Sequence, residues 1–217
     1  FERLIQKYGL SDFASESLAN LYSKLLSLEK EGKNRIWTRV LKNSLAPLLI
    51  GEFDYVVGNP PWINWENLPE SYRNDTKPLW DQYGLTLLLG KGAFKRDMAM
   101  LFLTRCLDRF TKGGGKFAFL IPFTIFKTQA GAGFRKFLAY SCKVIKVHDL
   151  VTLYPFEGAV NRTSLIVIEK SGQSAFPIPC ITWTNPRSKG VDQEAELEEV
   201  KKTTKQFELT FIPIEKN

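Results

Sequence analysis

Gly58-Asn59-Pro60-Pro61-Trp62 directly follows the apolar run Phe53–Val57. The side-chain amide oxygen of Asn59 accepts hydrogen bonds. Pro60 has no N–H, but its carbonyl still accepts, and its ring fixes φ. Pro61 stiffens the turn further. The residue before each proline is pushed out of the helical region. The result is a rigid turn presenting two acceptors close together, with Trp62 supplying a broad flat face. Two acceptors beside a stacking face suit a planar group carrying an exocyclic NH2, such as the amino group of adenine. The lone pair of that nitrogen is delocalised into the ring, which makes it a poor nucleophile. Acceptors on both of its hydrogens favour a more tetrahedral nitrogen with the lone pair exposed. Such a nitrogen can attack an electrophilic methyl group through positioning and preorganised electrostatics. No histidine base or metal is required, and the chain holds one histidine, His148, and three cysteines, Cys106, Cys142 and Cys180, without CxxC spacing. A bare Asn-Pro-Pro is more often an ordinary turn. The strand before it, the aromatic after it and the element order downstream favour the chemical reading.

The elements that must position this turn follow from periodicity. Asp12 to Glu31 reads as a helix, with Leu18, Leu21, Tyr22, Leu25, Leu26 and Leu28 mostly on one face and Gly32 as its stop. A second helix is expected over Arg35–Ala46, with Ile36, Trp37, Val40 and Leu41 buried, Pro47 at its end, and Arg35, Arg39 and Lys42 on a solvated face. Phe53–Val57 is a short buried strand. Asn64–Gly92 carries Pro69, Pro78, Gly84 and Gly90 among four aromatics, Trp65, Tyr72, Trp80 and Tyr83, and reads as a lid or binding loop. A helix over Phe94–Phe110 is ended by Gly113-Gly114-Gly115. A strand over Lys116–Ile121, a helix over Ala132–Tyr140 and strands over Val144–Leu150 and Ser164–Glu169 follow. Strands alternating with helices imply an α/β fold with a mostly parallel sheet, and the two successive strands at the end imply one antiparallel member. Beyond Lys170 the pattern fades, leaving a helix over Asp192–Glu199 and a strand over Phe207–Ile214. In such a sheet, ligands sit at the carboxyl ends of the strands, where Gly58–Trp62 lies.

Bulk properties narrow the partners. The chain has 217 residues, 44% of them hydrophobic, with a net charge of +7 spread along its length. That charge is compatible with nucleic acid or an anionic membrane. No apolar run reaches membrane-spanning length and no signal peptide is visible. The odd cysteine count in apolar surroundings points to reduced core thiols and a cytoplasmic protein. The first residue is Phe1, which fits a piece of a longer protein.

The run "FDYVVGNPPW" resembles the fourth motif of the amino-group DNA methyltransferases, which use S-adenosylmethionine. "RDMAMLFLTRCLDRFTKGGGKFAFLIP" is similar to the fifth and sixth motifs, "FKTQAGAGFRKFL" to the seventh and "LVTLYPFEGAVNRTSLIVIEK" to the eighth. The order of these motifs, with "NRIWTRVLKN" ahead of them, looks like the gamma-type N6-adenine enzymes of restriction–modification systems. The resemblance implies a partial Rossmann-like class I methyltransferase fold acting on DNA. It implies that Asn59 and the Pro60 carbonyl hold the target amino group, followed by Pro61, and that Trp62 stacks on a flipped adenine. Base extrusion is needed because the amino group is buried in the duplex. An aromatic of the eighth motif would cover the other face of the base: Phe156, with Tyr154 second. For Phe156 a loop aromatic capping the core remains an equal reading. Asp97 matches an acidic position near the cofactor pocket, and Asn59 would lie against the cofactor too. For Asp97 a helix N-terminal acid favoured by the dipole is an equal reading.

The family's cofactor half, a glycine-rich strand-turn followed by an acid, has no match ahead of Phe53. The expected organisation is an N-terminal helical segment over 1–50, the catalytic half over 51–170 and a tail or the start of a further region over 171–217. The edge of Phe53–Val57 would then lack a partner. The N-terminal helices, an upstream half, another subunit or self-association could cover it. Methylation of protein glutamine or RNA, and a non-catalytic DNA-binding scaffold, remain as alternatives.

Overall fold

The computed structural model describes residues 12–33, 37, 39–40, 42–43, 46–47, 50–86, 96–156, 162–186, 190–192 and 194–211. Two compact units divide the chain, Phe1–Gly51 and Glu52–Asn217.

In the first unit, α1 spans Asp12–Lys30. Leu21, Leu25 and Leu28 are half-buried along one stripe. Gly32, at φ +72°, turns the chain left-handed so that the Lys33 N–H reaches the Leu28 carbonyl at 2.8 Å, closing the helix end. The scattered described residues from 37 to 47 are helical, Pro47 among them, so the proline does not end this element. Trp37 and Val40, expected to be buried, are exposed, whereas Ile36 and Leu41 lie outside the described residues. Periodicity shows that a helix has an apolar face, not that anything covers it.

The second unit is built on a six-stranded sheet. Its strands are β1 (Phe53–Gly58), β2 (Thr111–Pro122), β3 (Lys143–Leu150), β4 (Thr163–Glu169), β5 (Ile178–Thr184) and β6 (Lys205–Phe211), in the spatial order β1-β2-β4-β3-β5-β6. β1 runs parallel to β2, and β3 parallel to β5. β4 is antiparallel to both its neighbours, as the two successive strands require. β6 adds a second antiparallel member, against β5. The segment after Lys170 therefore extends this same sheet, and its helix, α5, lies later than expected, at Leu197–Thr203.

The helices cover the sheet. α3 (Met98–Phe110) packs on β2, and α4 (Ala132–Tyr140) on β3. Phe117 and Ile121 of β2, Val147 of β3, Ile166 and Ile168 of β4, Leu103 of α3 and Phe134 of α4 are all essentially inaccessible. Each such side chain is worth about 1.5–3 kcal/mol of burial. α3 begins at Met98; Phe94 lies outside the described residues. The glycine triplet does not terminate α3. β2 starts at Thr111, directly after the helix, and Gly113–Gly115 form its opening, where Gly114 donates to the Lys170 carbonyl at 2.9 Å.

Asn64–Gly92, expected as a lid or loop, is ordered by its aromatics instead. A 3-10 turn spans Trp65–Asn67, and α2 spans Glu70–Gln82 with Pro78 inside it. Trp80 is fully buried in the core. That burial outweighs the backbone donor which Pro78 removes, so local punctuation loses to packing. Residues 87–92 lie outside the described set.

Candidate active site

The carboxyl ends of β1, β2 and β3 and the amino end of β4 share one rim of the sheet. The Asn59–Trp62 turn leaves β1 there. Gly58 sits opposite Phe119 of β2, and a Cβ at Gly58 would lie 2.6 Å from the Phe119 ring. The glycine thus lets that ring pack directly beneath the turn. Asn59 is exposed at the strand end, Pro60 is buried, Pro61 is exposed and Trp62 is half-buried against the core. The Trp62 indole N–H donates to the Leu120 carbonyl at 3.3 Å, which ties the aromatic to β2.

Backbone bonds then sew the outgoing chain to the start of α3. Met98 N–H donates to the Ile63 carbonyl at 2.9 Å, Trp65 N–H donates to the Arg96 carbonyl at 2.7 Å, and Asn64 and Asp97 form an isolated bridge. The Asp97 carboxylate caps α3 by accepting from Ala99 N–H at 2.8 Å. Burial pushes its pKa up to about 6, against the pull of that bond. Beside it, the Arg96 guanidinium lies 4.6 Å from the Trp65 ring centre and 5.4 Å from that of Trp80, and Arg73 lies 5.5 Å from Trp65. Burial holds Arg96 below the usual arginine range, partly offset by Asp81 and Glu66. Trp65 and Trp80, read from sequence as loop aromatics, thus clamp the turn's exit.

The other side of the rim belongs to the chain after β3. Phe156 meets Trp62 edge-on, with ring centres 5.8 Å apart and planes at 86°. Tyr154 is half exposed in the left-handed region, at φ +42°. The segment is braced from the β5 side, where Asn185 N–H donates to the Thr152 hydroxyl at 2.7 Å and Val191 N–H to the Leu153 carbonyl at 3.0 Å. At its two ends stand Asp149, on β3 and only 2% exposed, and Arg162, just before β4. The Arg162 Nε donates to Asp149 Oδ1 at 2.7 Å and its Nη2 to Oδ2. The same guanidinium lies 4.5 Å from the Phe123 ring centre. Sequence reading did not single out this pair. An acid inside an apolar strand was the available signal, because a buried carboxylate needs a partner.

His148 accepts a bond from Trp183 Nε1 at its Nδ1, 3.0 Å away, and burial followed by Lys146 lowers its pKa. It is a neutral member of the sheet. The three cysteines are free thiols, with Cys142 and Cys180 buried.

A family model, described as Eco57I restriction-modification methylase, matches residues 6–156. The chain belongs to that family. The type II methyltransferase M.HincII of Haemophilus influenzae is 30% identical over 127 residues, 57% of this chain and 24% of its own length. The modification methylase CviBIII of Paramecium bursaria Chlorella virus NC1A is 29% identical over 125 residues, 56% of this chain and 27% of its own. RM.Eco57I of Escherichia coli, a restriction enzyme and methyltransferase, is 25% identical over 126 residues and matched over 12% of its length. The match therefore spans about a quarter or less of the length of these curated relatives. Among solved structures, the type IIG restriction endonuclease BpuSI superposes with a TM-score of 0.50 at 15% identity, over 76% of this chain and 20% of that one, a likeness of fold. Among the described residues, no helix is long and apolar enough to cross a membrane.

Proposed function

We propose that these residues form the catalytic half of a DNA methyltransferase that modifies the N6 amino group of an adenine flipped out of the duplex, using S-adenosylmethionine. The observation that carries the reading is the pairing of a rigid acceptor turn, Asn59–Pro60, with two aromatics, Trp62 and Phe156, at one rim of the sheet. The Asn59 side-chain oxygen and the Pro60 carbonyl hold the two amino hydrogens and keep the nitrogen lone pair free. Trp62 stacks on one face of the base, which returns about 1–3 kcal/mol of the extrusion cost. Phe156 covers the other face. The edge-on contact leaves no space for a base, since a ring between two others needs about 7 Å, twice the carbon contact distance. The Phe156 ring therefore turns aside when the base enters.

S-adenosylmethionine, when bound, supplies the electrophilic methyl group. The residues present fit one wall of its pocket. Asn59 is exposed at the strand end, and the partly buried Asp97 carboxylate accepts from Ala99 N–H beside it. The remainder of the pocket comes from protein outside these 217 residues. β1 supports this: among the described residues it is paired only to β2, and Tyr55 and Val57 on it are 77% and 80% exposed. An unpaired apolar strand edge of this kind is a site of strand addition. The cofactor half, in the same polypeptide or another subunit, is the occupant proposed.

The test uses the full-length protein, unmethylated bacteriophage DNA and S-adenosylmethionine labelled in its methyl group. N6-methyladenine in the digested DNA is the expected product, lost on Asn59→Ala. Label on cytosine, on RNA or on a protein glutamine overturns the reading. Transfer unchanged by Asn59→Ala makes the turn a scaffold.

A further inference from the structure

Arg162 does three things at once. Its backbone carbonyl accepts from Phe123 N–H at 2.8 Å, extending the β2–β4 pairing by one residue. Its guanidinium forks onto Asp149 of β3, and its flat face lies over Phe123. It thereby ties together the ends of three strands at the point where the chain leaves β3 and returns to β4. Phe156 lies on the excursion between those two ends. Asp149 is almost wholly buried while the Arg162 side chain is 38% exposed, so solvent screens the pair in part, and its fork sets orientation as well as distance.

The geometry points to Arg162, held by Asp149, as a positioning residue: the pair ties the end of β3 to the start of β4, where residues 150–156 leave the sheet, so that Phe156 faces Trp62. This rests on the reading that Trp62 and Phe156 bracket the target base. The Trp62 side is fixed by its own turn and by Leu120. The Phe156 side has one proline, Pro155, directly before the ring, and is bonded from the β5 side at Thr152 and Leu153, while Asp149 and Arg162 tie the strand ends on either side of it. The expected consequence of losing the tie is a misplaced aromatic cover, which slows the chemical step more than it weakens binding. A 1 Å misplacement costs about a hundredfold in favourable cases.

Removing one partner alone leaves a buried charge and threatens folding, whereas replacing both with apolar residues of similar size is often neutral. The test therefore compares Asp149→Leu/Arg162→Met with the parent full-length protein, alongside Arg162→Lys, which keeps the charge and loses the fork. Thermal melting sets an assay temperature at which each variant is folded. The readouts are single-turnover methyl transfer to unmethylated bacteriophage DNA, the KM for that DNA, and the fluorine resonance of fluorotryptophan at Trp62, assigned with Trp62→Phe. The double variant is expected to lose at least about tenfold in single-turnover rate with KM within about twofold, and the Trp62 resonance is expected to shift. Arg162→Lys should fall between it and the parent.

A parent-like rate in the folded double variant overturns the inference, as does a slower rate with an unmoved Trp62 resonance. Should the double variant not fold, a parent-like rate and resonance in Arg162→Lys overturn it. Phe156→Ala separates the two claims. If it transfers methyl groups at the parent rate, the bracketing reading fails and the inference with it. If it is slow while the double variant is parent-like, the tie alone fails.

Discussion

The two walls of the site are held in different ways. The wall after β1 is stiff by covalent design: two prolines, a glycine that admits the Phe119 ring beneath it, and an indole tied to Leu120. The wall after β3 carries its aromatic after a single proline, Pro155, on a longer excursion, secured by an ion pair at its ends and by bonds from the β5 side. In the function proposed, the stiff wall bears the acceptors, whose placement decides the chemistry, and the other bears a cover that moves for a base to enter. Rigidity built into the chain costs little entropy on folding, whereas rigidity from tertiary contacts is adjustable.

Substitutions can break this contrast, and the largest effect is expected at the acceptors. Asn59→Ala should lower the single-turnover rate by about 10²–10³-fold, the range seen when a preorganised charge-stabilising group is removed, with DNA affinity by gel shift little changed. Loss of affinity in step with rate would place Asn59 in binding instead. Trp62→Ala should cost about 1–3 kcal/mol of stacking, read as about a 10- to 100-fold fall in kcat/KM, and Trp62→Phe should recover most of it. Phe156→Ala should cost about tenfold, near the lower end of the same stacking range, because it touches only the adaptable wall. Phe156 and Trp62 falling equally would erase the distinction between the two walls.

Smaller effects probe the support. Gly58→Ala forces the Phe119 ring, itself 4.2 Å from the Phe117 ring, to move. It should destabilise by about 1–3 kcal/mol, as overpacking does, measured by chemical denaturation. Asp97 sharpens the contrast by pH. Its carboxyl titrates near 6 when folded, above the ordinary aspartate value of 3.8. Between those values the folded state holds the proton and the unfolded state has lost it, so stability falls as pH rises through that window. Asp97→Asn preserves the cap and should remove this slope, seen as a flatter melting temperature from about pH 4 to about pH 6. Identical slopes in the two proteins would mean that Asp97 is ionised in the fold.

Much of this was legible in the chain itself. The bounds of α4 follow from helical spacing, the positions of β1 to β4 from runs of apolar and β-forming residues, and the antiparallel sense of β4 from the lack of a helix between it and β3; β1, expected to be buried, instead has Phe53, Tyr55 and Val57 exposed. α2 was not legible. Pro78 and the surrounding glycines argue for a loop, and only the burial of Trp80 overrules them. Trp37 and Val40 mislead in the opposite sense: their spacing marks a face that is exposed here. Asp149 and Arg162, thirteen residues apart, gave no spacing signal, since strand pairing rather than sequence brings them together.

The sequence by itself determined the acceptor turn. Its residue types fix their own backbone angles, and the strand before it sets where it starts. The tertiary structure alone decided that the Phe156 ring meets Trp62 edge-on, that Asp149 and Arg162 join the strand ends beside it, and that β5 and β6 lengthen the sheet. Those outcomes depend on contacts between residues distant in the chain, and their energies exist only once the strands have paired.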